Sequence, residues 1–85
     1  MNDVKIFENP EFGQVRTIVI DDEPWFVGKD VANILKYQNG NRDIHRHVDE
    51  DDRKMVDGKT QYRFGIELGQ RGGWLINESG LYSLI

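Results

Sequence analysis

The hydrophobic positions of this chain change period as the sequence advances, and each change predicts a new element. Residues 4–7 are a short apolar-rich run, and Asn9-Pro10 behind them reads as a turn. Residues 12–20 carry Val15, Thr17, Ile18, Val19 and Ile20. Such β-branched enrichment predicts a strand, and apolar residues on both faces near its end place it inside a sheet. Asp21-Asp22-Glu23-Pro24 is a polar turn, and Trp25-Phe26-Val27 returns from it, completing a hairpin.

The period then lengthens. Val31, Ile34 and Leu35 fall at i, i+3 and i+4, one face of a helix that ends near Tyr37 or Gln38. Asn39-Gly40-Asn41 is a three-residue junction, with Gly40 suited to a left-handed helix end and Asn41 to the cap of a second helix. That helix runs to about Val48, with Asp43 in its first turn and Ile44 and Val48 facing inward. Two short helices so joined form a helix–turn–helix-like pair. The acidic residues 49–52 must be solvated, and Asp57-Gly58 favours a tight hairpin turn. Tyr62, Phe64, Ile66 and Leu68 alternate with Gln61, Arg63, Gly65 and Glu67, which predicts a half-buried strand. Residues 69–73 hold three glycines and read as a flexible loop. Trp74-Leu75-Ile76 returns as a strand, and Asn77 caps a last helix with Leu81, Leu84 and Ile85 inward. The predicted class is α+β: a small antiparallel sheet built from hairpins with two or three short helices, in one domain over residues 1–85. The chain stops on Leu84-Ile85 inside its last helix, from which we expect a longer protein with a separate C-terminal domain.

Composition narrows the setting. There is no cysteine, so disulfides and thiolate zinc sites are excluded, and nine aromatic residues argue against disorder. The longest aliphatic stretch is Ile18-Val19-Ile20, too short to span a bilayer, and no apolar signal region follows Met1. The expectation is a cytoplasmic globular domain. The formal charge is −4, but it is unevenly spread. Residues 29–48 hold Lys29, Lys36, Arg42 and Arg46 against Asp30 and Asp43, a net +2 in an otherwise acidic chain, and both histidines lie there. A basic middle segment points to an anionic partner.

Most motifs that invite chemistry have plainer readings. His45 and His47 stand at i, i+2, which a helix splays about 200° apart, so one metal ion cannot take both. Residues 49–52 lack the ligand alternation and glycine of a calcium loop. Ser79 and Ser83 have neither an elbow motif nor a partner base, and the glycines of residues 69–73 precede no phosphate-loop lysine. Trp25, Phe26, Tyr62, Phe64 and Trp74 could stack on bases, yet a domain this small needs them in its core. No acid–base pair or ligand triad emerges, so neither an enzyme nor a metal or cofactor site is expected. The helix pair is the strongest candidate. Arg42 and Arg46 share one face of the second helix with His45 beside them, and Asn41 or Asn39 stands at its start. A helix entering the major groove uses arginine for phosphate or guanine and asparagine for adenine. Lys36 flanks this helix, and Arg71 sits at the tip of the glycine-rich loop, where a wing would touch phosphate. The plainer reading is an ordinary solvated face.

Residues 7–18 (FENPEFGQVRTI) and 23–32 (EPWFVGKDVA) resemble the N-terminal domain of the BRO family, which includes prophage antirepressors and baculovirus repeated-ORF proteins. Residues 35–39 (LKYQN), 44–48 (IHRHV) and 76–85 (INESGLYSLI) continue the likeness in the family's order, while 49–73 match only loosely. The resemblance implies a DNA-binding module, usually N-terminal to a separate domain, in a phage transcriptional regulator. It supplies no catalytic residues. The contacting residues expected here are Lys36, Asn41, Arg42, His45, Arg46 and Arg71. A second function class also fits: a protein-interaction module that binds the phage repressor through the acidic residues 21–23 and 49–52. An acidic total departs from the phosphate-neutralising chemistry of non-specific DNA binding.

Overall fold

A computed structural model describes residues 4–9 and 13–85. Strands β1 (Val4–Asn9), β2 (Gly13–Ile20) and β3 (Glu23–Val27) precede helices α1 (Gly28–Ile34) and α2 (Gly40–His47). Strands β4 (Arg53–Val56) and β5 (Gly73–Ile76) and helix α3 (Glu78–Leu84) follow. The strands form one antiparallel sheet in the order β1-β2-β3-β5-β4, in accord with the α+β class expected from the pattern. The expected turn at Asn9-Pro10 extends outside the described residues.

The β2–β3 hairpin follows from its turn chemistry. Asp21 and Asp22 both have positive φ, 51° and 65°, which matches the right-handed twist of the strands they join. The resulting register pairs Ile20 with Glu23 and Val19 with Pro24. In an antiparallel ladder hydrogen-bonded and non-bonded pairs alternate, so Pro24, one step beyond the turn pair, needs no N–H toward β2. Neither does it toward β5, which pairs only with Phe26 and Val27.

Alternation along the strands divides the core between two faces of the sheet. Ile18, Trp25, Val27, Val56 and Leu75 face one side, where Ile66 and Leu68 cover them. Ile76 and Phe26 face the other, under Val31 of α1, Ile44 and Val48 at the end of α2, and Leu84 of α3. The helices approach closely because the residues at the crossings are small. A Cβ on Gly28 would lie 2.5 Å from Ile44 Cδ1, and one on Gly40 would lie 2.7 Å from the Cβ of Ala32.

Residues 60–68 differ from the expected strand. Thr60–Phe64 is a 3₁₀ turn, and Ile66 to Leu68 lie irregularly across the sheet face. Burial still follows the alternation: Ile66 and Leu68 are buried and Phe64 partly so, but Tyr62 is 77% exposed. The buried amide of Gln61 supplies what a strand partner would have. Its nitrogen donates to the carbonyls of Gly58 and Gly69, and its oxygen accepts from the Leu68 amide at 2.6 Å. The ladder partner of β4 is therefore β5, with residues 57–72 as the connection. Asp57-Gly58 makes no two-residue hairpin turn. The Asp57 carboxylate instead accepts from the amides of Lys59 and Thr60 and starts the 3₁₀ turn.

Two ends also shift. Ile85 is 79% exposed rather than inward, although Leu84 is buried as expected. Asn77 does cap α3, accepting from the Gly80 amide at 2.9 Å, and its own side chain donates to Asp52 at 3.0 Å.

Candidate nucleic-acid interface

The helix pair forms, with a different junction. Five residues, 35–39, join α1 to α2 rather than three. The left-handed position is Lys36, φ 63°, and not Gly40, which lies inside α2. Lys36 donates its amide to Asn33 and Tyr37 donates to Ala32, the paired bonds that close a helix C-terminus around a left-handed residue. Glycine ordinarily fills that position, so a lysine there holds a strained backbone with its side chain exposed. The cap of α2 is Asn39, whose Oδ1 accepts from the Arg42 amide at 3.1 Å; Asn41, the expected cap, is instead the second residue of the helix.

The outer face of α2 carries the expected cations. Asn41, Arg42, His45, Arg46 and His47 are exposed, while Ile44 and Val48 anchor the opposite side in the core. Arg42 approaches Asp43 at 3.9 Å, a solvent-screened pair that leaves most of its guanidinium available. Basic groups at 45–47 stand in the last turn and Asp43 in the first, each at the end its charge favours.

Two residues that the sequence pattern did not single out for this region fix α2 against the sheet. The Arg53 guanidinium donates to the carbonyls of His45 and Val48, and it lies 5.3 Å from the Trp74 ring centroid. The His45 ring is tilted against the same indole at 6.4 Å. The exposed α2 face is thus held to β4 and β5 by a cation on an aromatic ring and by carbonyls that a helix end leaves unpaired. Trp25 is buried beneath Lys54, and Trp74 is only partly open, so both serve packing first.

Arg71 is exposed, in a turn closed by the Gly72 amide on the Gly69 carbonyl. It lies beyond the Val56–Gly73 end of the β4–β5 ladder, whereas Arg53 opens the other end beside α2. Arg71 and the α2 cations therefore come from separate parts of the fold. The connection it belongs to is tied down by Gln61 and packs Ile66 and Leu68 against the sheet, unlike a free wing.

Between α1 and the start of α2 is an open groove of about 220 Å³, with Lys29, Asn33, Gln38, Asn39 and Asn41 among its lining residues. Among the described residues no three His, Asp or Glu side chains gather as metal ligands, and no helix is long and apolar enough to cross a membrane.

A family model described as "BRO family, N-terminal domain" matches residues 14–85. A putative Bro-N domain-containing protein, 289L, of Invertebrate iridescent virus 6 is 34% identical over 87 aligned positions, covering 85% of this chain and 20% of that protein. The chain thus spans about a fifth of that curated relative's length. No solved structure matches.

Proposed function

Because this chain belongs to the BRO family through its N-terminal domain, we propose that it is the DNA-binding module of an antirepressor-type transcriptional regulator of a phage or prophage. The observation that carries this reading is the outer face of α2, where Arg42, His45 and Arg46 are exposed together on a helix anchored by buried Ile44. The module works by binding in the host cytoplasm, without catalytic turnover or a cofactor. Arg42 and Arg46 meet phosphates or base edges, His45 and Asn41 flank them, Lys36 reaches from the strained turn, and Arg71 adds a separate contact. The net charge of −4 is no obstacle where local field decides, since the acids lie mainly outside residues 29–48. Fluorescence anisotropy with a labelled duplex at low salt tests the reading. Arg42→Ala/Arg46→Ala should weaken binding at least tenfold, and wild-type-like binding by that variant would overturn it.

A second reading has its own support in the exposed acids Asp49, Glu50 and Asp51 beside the end of α2. They suit a basic protein partner such as a phage repressor. Capture of the cognate repressor, with no DNA binding up to high micromolar concentrations, would favour it.

A further inference from the structure

The groove between α1 and α2 holds an uncommon concentration of one chemistry. Asn33, Gln38, Asn39 and Asn41 bring four carboxamides to it, Lys29 adds one cation, and no carboxylate lines it. The Asn39 oxygen is committed to the Arg42 amide, whereas the side chains of Asn33, Gln38 and Asn41 make no hydrogen bond to another described residue. A carboxamide offers a donor and an acceptor side by side. That pair matches N7 and N6 of adenine, while guanine calls for two donors and cytosine for an acceptor such as a carboxylate. Asn41 is the best placed of the four, in the first turn of α2, the part of a recognition helix that meets base edges. The groove is open and so accommodates the edge of a paired base. Lys36, held left-handed in the turn between the two helices, is exposed next to Tyr37 of the groove lining.

We infer that this groove makes the domain sequence-specific, with Asn41, assisted by Gln38, reading an adenine in the major groove of duplex DNA. The inference rests on the DNA-binding reading and goes beyond it: the arginines of α2 supply attraction, and the carboxamides supply choice.

Selection of bound duplexes from a randomised pool, using the 85-residue chain, tests it. An adenine should be enriched at one fixed position. Replacing that adenine by 7-deazaadenine, which deletes only the N7 acceptor, should weaken binding about fivefold or more. Asn41→Ala should remove the difference between the adenine and 7-deazaadenine duplexes, with far-ultraviolet circular dichroism confirming that α2 is folded. Salt-dependent binding without adenine enrichment, or an undiminished difference in the folded Asn41→Ala protein, would overturn the inference and leave the DNA reading standing. Failure to bind any duplex would overturn both.

Discussion

Arg16 and Asp30 are joined by a two-pronged ion pair: Nε donates to Oδ2 at 2.8 Å and Nη2 to Oδ1 at 3.0 Å. The Arg16 amide also donates to Oδ2, and Nη1 reaches the Glu67 carbonyl at 2.7 Å. One arginine on β2 thereby ties down the start of α1 and the segment that covers the far face of the sheet. Burial alone would raise the Asp30 pKa, but the hydrogen bonds and charge of Arg16 outweigh it and hold the carboxyl below its ordinary range. The lowered folded pKa fixes the sign. The contribution is complete above about pH 4, the unfolded carboxylate value, and is lost as pH falls through the folded value. Asp30→Asn should cost about 1–2 kcal/mol at pH 7, a charge-assisted pair reduced by partial solvent access. Urea denaturation at several pH values should show the gap between wild type and variant constant from pH 7 to 5 and closing below pH 4.

Lys36→Gly should move stability and binding in opposite directions. Glycine removes the left-handed penalty, so the midpoint of unfolding should rise by the equivalent of about 0.5–1 kcal/mol. The same change deletes a cation, so DNA affinity should fall. A Lys36→Gly protein that is more stable and binds equally well would mean that the lysine serves no contact.

Asn39 allows cap and charge to be separated. Aspartate caps as well as asparagine, so Asn39→Asp should keep wild-type stability, while Asn39→Ala should lose about 1 kcal/mol. The added carboxylate at the mouth of the groove should nevertheless weaken DNA binding by Asn39→Asp. Thermal unfolding and anisotropy on the same samples read both effects.

Gln61 is the hydrogen-bonding hub of the 57–72 connection. Gln61→Ala strands the Leu68 amide and two carbonyls and should destabilise the fold by about 2–4 kcal/mol, measured by chemical denaturation. An effect under about 0.5 kcal/mol would show that water replaces these bonds freely.

The legibility of the sequence varied by element for identifiable reasons. The β2–β3 hairpin, the inward stripe of Ile44 and Val48, and the Asn77 cap are local: each is decided by residues within a few positions of one another. Residues 62–68 misled because alternation reports only which side chains point inward. A 3₁₀ turn and an irregular segment lying over the sheet bury Ile66 and Leu68 equally well once Gln61 supplies the backbone partners. At the helix junction the left-handed position fell on Lys36, against glycine's preference, and nothing local announces such a choice. Among the candidate contacts, the exposure of Arg42, His45 and Arg46 was readable from helical spacing. The groove carboxamides and the Arg53–Trp74 support depend on chain segments far apart in sequence, and spacing is silent about them.

The salt dependence of duplex binding bears most directly on the claim that α2 and its flanks meet phosphate. With Lys36, Arg42, Arg46 and Arg71 each neutralising one phosphate, log K against log salt should fall with a slope of about −3.6, flattening by about 1.8 in Arg42→Ala/Arg46→Ala. A slope near zero, or one that the double substitution leaves unchanged, would contradict the account.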